Sequence, residues 1–373
     1  MARFNLVCVV GTRPEGIKMA PVVKELREYP EAVEVVLVSS GQHREMLAQA
    51  LKPFGLVPDI DLDLMQHGQS LSQLTTRILD GLEKVVSDQK PDYVLGQGDT
   101  TTCFVASLVS FYHGIPFAHV EAGLRTASIL SPFPEEFNRR AVSLTAALNF
   151  APTIWAKENL EKEGIDSKSI FVTGNTGIDA VLFSSRMAHR DSCPADGHRI
   201  LLLTTHRREN WGKSQEQIAR AVHRLVQKHE DIEVIVPMHR NPQVREVLYA
   251  GLGNLDRVKL IEPPDYEDFV QLLKNSYLVL TDSGGVQEEA PAFGVPVLVL
   301  RDQTERPEGV TSGVAKLVGT DEDTVFNAAD ELLSSAEQRS KMARASSPYG
   351  DGRASKRIRQ ILLRSLGIES PEV

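Results

Sequence analysis

Tyr277-Leu278-Val279-Leu280-Thr281-Asp282-Ser283-Gly284-Gly285-Val286-Gln287-Glu288-Glu289 runs from a short apolar stretch, through Ser-Gly-Gly, into residues that favour helix. At such a junction backbone N–H groups can meet phosphate oxygens with no Cβ in the way, and the helix dipole adds to the attraction. The stretch reads as a phosphate cradle, against the plainer alternative of a glycine-rich turn with no ligand. Ser283, Gly284 and Gly285 make the turn, and Glu288 or Glu289, one turn on, is placed to accept a hydrogen bond from a ribose. Arg306, in Arg301-Asp302-Gln303-Thr304-Glu305-Arg306-Pro307-Glu308 after the next apolar run, adds a cation from a neighbouring loop.

The same order of apolar run, turn and helical segment recurs through the chain. Val/Ile/Leu-rich runs at 4–10, 33–38, 93–95, 115–120, 147–150 and 170–173, then at 200–204, 233–236, 258–261, 277–280 and 295–300, predict parallel strands buried on both faces. Between them, Ile218, Val222, Leu225 and Val226 fall on one helical stripe, with Ser214 and Gln217 ahead of it at capping-box spacing. Pro21 interrupts an otherwise helical segment and predicts a kink or a second start there. A polar, Pro/Gly-containing stretch at 185–198 reads as a linker. The expectation is an α/β protein of two Rossmann-like doubly wound domains, 1–184 and 199–353, with strand ends facing a cleft, where ligands of such folds bind.

Composition narrows the classes. At roughly 150 residues per domain, 373 residues allow two or three units. Apolar residues at 42% and charged residues at 24% exclude a disordered chain or a fibre. A net charge of -9 disfavours broad nucleic-acid binding but leaves room for a local basic pocket. Cys8, Cys103 and Cys193 are widely spaced and odd in number, which argues against a disulfide framework or zinc ribbon and for a reducing compartment. No apolar run approaches the about 20 residues of a membrane span. The run after Arg3 breaks at once into Gly11-Thr12-Arg13-Pro14-Glu15 with no small-residue cleavage pattern, so a soluble, cytoplasmic protein is expected.

The amino-terminal half supplies acids. Gly11-Thr12-Arg13-Pro14-Glu15-Gly16-Ile17-Lys18 puts Arg13 and Lys18 near a helix N-terminus, either as an anion site or as solvated charges on an ordinary turn. Gly96-Gln97-Gly98-Asp99-Thr100-Thr101 lacks the third glycine of a dinucleotide fingerprint, so a nicotinamide is not expected. Asp99 is then either a strand-end acid or a helix N-cap. Glu121 closes the run before Gly123, and Ser131-Pro132-Phe133-Pro134-Glu135-Glu136 leads into a helix whose first-turn acids could equally be dipole complements. Asp99, Glu121 and Glu135 gathered at neighbouring strand ends would push their pKa values apart, giving a proton donor and an acceptor. In Thr204-Thr205-His206-Arg207-Arg208-Glu209-Asn210, His206 and Arg207 stand at a strand end, facing a diphosphate or merely exposed. HExxH and clustered His/Cys spacings are absent, so no catalytic metal is expected.

GTRPEGIKMAP, SGQHREM, GQGDTTT, HVEAGLRT, SPFPEEFNRR, GNTGIDA, THRREN, TDSGGVQEEAP, RDQTERPEGV and SPYGDGRAS resemble, in order, the motifs of the non-hydrolysing UDP-N-acetylglucosamine 2-epimerases. The resemblance spans about Val9 to Ser355. It implies the two-domain glycosyltransferase-B architecture, with the C-terminal helix, 354–373, returning to the N-terminal domain. It also implies reversible conversion of UDP-GlcNAc to UDP-ManNAc with no cofactor. The C2 proton has no adjacent carbonyl to acidify it, so the available route is elimination of UDP to a 2-acetamidoglucal and re-addition from the opposite face.

By the same resemblance, Asp99, Glu121, Glu135 and His206 fall on catalytic positions, and Arg13, Lys18, Ser283, Gly284, Gly285, Glu289 and Arg306 on UDP-binding ones. Phe269 matches a uracil contact, while Pro264 replaces a glutamine found in some relatives. Gln42, His43, Arg207 and His239 match parts of a second UDP-GlcNAc site that activates some bacterial members. Glu45 and Gly68 depart from the regulated pattern, which has glutamine and arginine there. A homodimer is implied, with no nucleic-acid or membrane partner. A hydrolysing epimerase, a glycosyltransferase and a nucleotide-sugar sensor without turnover are the competing readings.

Overall fold

The computed structural model describes residues 3–41, 44–66, 68–187 and 197–369. The apolar runs become strands because their side chains are buried on both faces; Leu6 to Val10 and Ile200 to Leu203 are almost wholly shielded from solvent. Seven strands form one sheet: β1 (Phe4–Val10), β2 (Val33–Ser39), β3 (Ile60–Asp61), β4 (Tyr93–Gln97), β5 (Phe117–Val120), β6 (Ala146–Ala151) and β7 (Ile170–Val172). Six form another: β8 (Arg199–Thr204), β9 (Ile232–Pro237), β10 (Val258–Ile261), β11 (Ser276–Thr281), β12 (Val297–Val299) and β13 (Ala315–Leu317).

Every pairing is parallel, in the orders β3-β2-β1-β4-β5-β6-β7 and β10-β9-β8-β11-β12-β13. In both, strand order reverses beside the first strand, at β1/β4 and at β8/β11. Open α/β sheets bind ligands outside the carboxyl ends of strands at such switch points. The relevant turns are therefore those after Val10, Gln97, Thr204 and Thr281.

The chain divides into two units, Met1–Ala180 with Tyr349–Val373, and Val181–Pro348. The change of unit falls inside the helix Thr176–Met187. Residues 188–196 of the expected linker, and Cys193 with them, lie outside the described residues. The expected return of the C-terminal helix is present. Ala354–Ser365 lies on the first unit, where Arg359 pairs with Glu25 at 3.0 Å and stacks over Tyr29. Its first turn is capped from far along the chain: buried Asp179 accepts the Ala354 N–H at 3.1 Å, the Ser355 N–H at 2.8 Å and the Ser355 hydroxyl.

Three local expectations change. The helix Arg13–Arg27 continues through Pro21, which sits on its buried face with Ile17, Met19, Ala20, Val22, Val23 and Leu26, so packing outweighs the lost backbone bond. Ser214 and Gln217 make no capping box. The helix starts at Lys213 with Gly212 as its cap, although Ile218, Val222, Leu225 and Val226 are buried as their spacing predicts. Two strands, β3 and β13, were not anticipated. They have two and three residues and sit at sheet edges, where half-exposed side chains dilute the apolar signal.

Candidate active site

In the first unit the turn after β1 folds onto its own acid. Glu15 is buried and accepts the N–H groups of Gly11 at 3.1 Å and Thr12 at 2.7 Å, and the Thr12 hydroxyl at 2.8 Å. Its other oxygen accepts the Thr100 hydroxyl at 2.6 Å, strapping the β1 turn to the β4 turn across the switch point. Burial pushes the Glu15 carboxyl up to about 7, against the pull of these hydrogen bonds. The N–H groups of Gly11 and of the N-cap Thr12 are thus spent on Glu15, and the helix itself starts after them, at Arg13. Thr-Arg-Pro-Glu, an N-cap with a glutamate three residues on, was the signal for this and was missed.

Asp99 follows β4. Thr100, not Asp99, caps the helix Thr101–Tyr112, accepting the Cys103 N–H at 3.1 Å. The Asp99 carboxylate pairs with Arg139, and its backbone carbonyl accepts a hydrogen bond from Asn138 Nδ2 at 2.9 Å. Both partners lie on the helix Glu135–Thr145. His119, wholly buried on β5, donates Nε2–H to the Gly98 carbonyl at 2.7 Å, and burial lowers its pKa to about 4, so it holds the loop as a neutral ring.

Glu121 is the first residue after β5 and takes a left-handed backbone, φ 65°, a conformation that costs a non-glycine residue about 1–3 kcal/mol. Its carboxylate pairs with Lys18, one turn into the helix Arg13–Arg27. Two residues assigned separate duties by resemblance are therefore bonded to each other. Arg13 opens that helix, half-buried. Glu135 opens the helix Glu135–Thr145 and is partly exposed, whereas its neighbour Glu136 is fully buried, accepts the Thr126 N–H at 3.1 Å and pairs with Arg139 and Arg140. The groups bonded to Asp99 and Glu121 are cations, not one another's carboxylates.

The second unit uses the same device in the opposite direction. Asp282, fully buried after β11, reaches the turn after β8. It accepts the His206 N–H at 3.0 Å, the Arg207 N–H at 3.0 Å, the Thr205 hydroxyl at 3.2 Å and Asn210 Nδ2 at 3.0 Å. His206 Nδ1 lies 2.9 Å from its other oxygen. Burial alone would raise the Asp282 carboxyl, but His206 and the turn's N–H groups together hold it below its usual range. The His206 ring is stacked on that of His239, centroids 6.3 Å apart. His239 Nδ1 accepts the Asn241 N–H at 3.2 Å, and burial, with the nearby His206, lowers its pKa.

Ser283 caps the helix Gly284–Glu289, and its N–H donates to Thr281 Oγ1 at 2.9 Å. The two glycines differ in purpose. A Cβ on Gly284 would sit 2.8 Å from the guanidinium carbon of Arg306, whereas one on Gly285 would meet nothing nearer than Glu289 Oε1 at 4.0 Å. Gly284 thus seats a cation at the helix N-terminus, and Gly285 leaves the approach open. Arg306 is steadied by Glu288 at 2.8 Å and Glu305 at 3.4 Å, and Arg301 by Glu209 and Glu305. Glu305 falls to about 2 because Arg301 and Arg306 overcome its burial. Phe269, on the helix Tyr266–Lys274, is partly buried against the cluster containing Val279 and Val286. Of the residues assigned to an activator, Arg207 and His239 belong to this turn region, while Gln42 and His43 lie outside the described residues.

Residues 24–363 match the family model described as UDP-N-acetylglucosamine 2-epimerase. The UDP-N-acetylglucosamine 2-epimerase of Bacillus subtilis is 50% identical over 365 residues, covering 97% of this chain and 96% of that one. The crystal structure of the Neisseria meningitidis UDP-GlcNAc 2-epimerase bound to UDP-GlcNAc is 44% identical, with a TM-score of 0.87 over 96% of this chain and 100% of that one. The glycosyltransferase of kitacinnamycin, 13% identical over 98% of this chain and 100% of that one, shares the two-domain fold alone, at a TM-score of 0.67.

Proposed function

Because the chain belongs to the UDP-N-acetylglucosamine 2-epimerase family and interconverts UDP-GlcNAc and its C2 epimer, we propose that it does so by anti-elimination and re-addition of UDP. A carboxylate of the first unit removes the C2 proton. The C–H electron pair becomes a C1–C2 double bond, and the C1–O pair leaves with the β-phosphate oxygen of UDP. The resulting 2-acetamidoglucal is protonated at C2 on its other face as UDP adds back to C1, so atoms and charge balance over the cycle with no cofactor.

Asp99 and Glu121 carry the two proton transfers, and Glu135 positions the sugar. Lys18 compensates the charge on Glu121 as a proton comes and goes, in addition to its assigned place beside the nucleotide. Ser283, Gly285 and Arg306 hold the diphosphate, Glu289 the ribose, Phe269 the uracil, and His206 serves the departing oxygen; Arg13 adds a cation. Fixed donors aimed at the charge that develops on the leaving group are commonly the largest contribution an enzyme makes. The observation that carries this reading is that Asp99, Glu121, His206 and Ser283 all stand at or next to the carboxyl ends of β4, β5, β8 and β11, around the switch points.

Incubation with UDP-GlcNAc in deuterated water, followed by proton NMR, tests it. Deuterium at C2 together with UDP-ManNAc is expected. Free ManNAc would instead mark a hydrolase, and an unchanged spectrum a transferase or sensor.

The reading includes a cytoplasmic location, a homodimer and activation by a second UDP-GlcNAc. Among the described residues no helix is long and apolar enough to cross a membrane. Exposed Phe111 and Tyr112 on the helix Thr101–Tyr112, and Phe137 and Leu144 on the helix Glu135–Thr145, favour a partner on that face. The stacking of His239 on His206 gives an activator near His239 a route to the catalytic histidine. Activation predicts a sigmoidal rate curve and poor consumption of UDP-ManNAc alone; a hyperbolic curve with normal consumption removes it.

A further inference from the structure

His206 has one nitrogen engaged and one available. Nδ1 faces Asp282 at 2.9 Å, and Asp282 is fixed by four further hydrogen bonds from Thr205, the His206 and Arg207 N–H groups and Asn210. Asn210 is itself buried and also donates to the Leu300 carbonyl at 3.0 Å, tying the Asp282 cradle to the end of β12. The His206 side chain is 40% exposed, and the His239 ring lies beside it at 30°, centroids 6.3 Å apart. A carboxylate only accepts, so its partner nitrogen must carry the hydrogen.

We propose that Asp282 is the positioning residue of the reaction: it holds His206 through Nδ1–H with the ring plane fixed, so that Nε2 is the nitrogen turned to the diphosphate, donating to the departing oxygen from the ring protonated on both nitrogens and keeping the lone pair once that proton has been given up. This rests on the reading that His206 serves that leaving group. Asp282 does not touch substrate. It acts as the buried carboxylate of a Ser-His-Asp triad does, where loss of the charge leaves the fold intact but admits the wrong tautomer. The neighbours that bear on its charge are His206 and, beyond it, His239; the lowered pKa of Asp282 agrees with an ionised carboxylate at that point. The charged turn Glu209–Arg301–Glu305 lies beside Asn210 and bonds internally.

The test has two independent arms. In protein labelled with nitrogen-15 histidine, the His206 resonance, assigned by its loss in His206→Gln, should show Nδ1 protonated in both the neutral and the cationic ring, with Nε2 the nitrogen that gains and loses its proton. Asp282→Asn should reverse or mix that pattern. A neutral ring protonated at Nε2 and bare at Nδ1 in the unaltered protein overturns the proposal, whether or not any variant folds. In the second arm, Asp282→Asn should lower kcat by about 100-fold or more with KM and UDP affinity little changed. Adding it to His206→Gln should then lower kcat no further. Full additivity of the two losses would mean that Asp282 acts by another route and ends the proposal. Undiminished activity of His206→Gln itself would instead remove the role given to His206, a failure the tautomer spectrum separates from that of Asp282.

Discussion

Lys18 and Glu121 form an ion pair in which the acid's backbone is held in the left-handed region, φ 65°. A strained residue persists only where its surroundings over-determine it, and such residues cluster at functional sites. Lys18→Met removes the charge and keeps most of the stem. It should lower the rate of C2 hydrogen exchange by about 10-fold to 100-fold, with a smaller effect on UDP affinity measured calorimetrically. A loss confined to UDP binding would make Lys18 a phosphate contact only.

Asp99 is expected to be separable from nucleotide binding. Asp99→Asn should abolish exchange of the C2 hydrogen with solvent while UDP still binds, because the amide oxygen can still accept from Arg139 and the Asn138 bond is to the backbone carbonyl, which the substitution leaves in place. Loss of both activities together would show that Asp99 is structural.

The glycines of the second unit give opposite expectations. Gly284→Ala displaces the Arg306 guanidinium and should weaken UDP binding by about 10-fold through loss of that cation, with Arg306→Ala adding little to it. Gly285→Ala has free space in the protein, so its thermal stability should be nearly unchanged; any fall in UDP affinity then reports a phosphate lying against that turn.

Glu15 predicts a pH dependence of stability. Its folded pKa, about 7, exceeds the ordinary glutamate value of 4.5, so the folded state binds more protons between those values. By linkage, its contribution is fully present below about pH 4.5 and is lost as pH rises through 7, up to about 3 kcal/mol. Unfolding in urea at a series of pH values should therefore give a steeper decline from pH 5 to 7 for the unaltered protein than for Glu15→Gln. Parallel curves would contradict this.

Much of this arrangement was legible in the sequence, and the reasons for the remainder are physical. Eleven apolar runs announced their strands because parallel strands buried on both faces need continuous Val, Ile and Leu, as in β1 and β8. Turn positions followed, which is why Asp99, Glu121, His206 and Ser283 could be singled out. What a linear reading does not give is who bonds to whom across a switch point. Glu15 and Asp282 stood within quoted motifs, yet their reach to Thr100 and to His206 depends on β1 lying beside β4 and β8 beside β11. The same holds for Arg139, on a helix some forty residues from its partner Asp99.

The cleavage of the C1–O bond is the claim on which the remaining roles depend. UDP-GlcNAc carrying oxygen-18 in the bridge between C1 and the β-phosphorus tests it directly. Once UDP departs, its β-phosphate can turn before re-addition, so label should appear at non-bridging β-phosphate oxygens on the timescale of epimerisation. Epimerisation with the label retained wholly in the bridge would contradict the account.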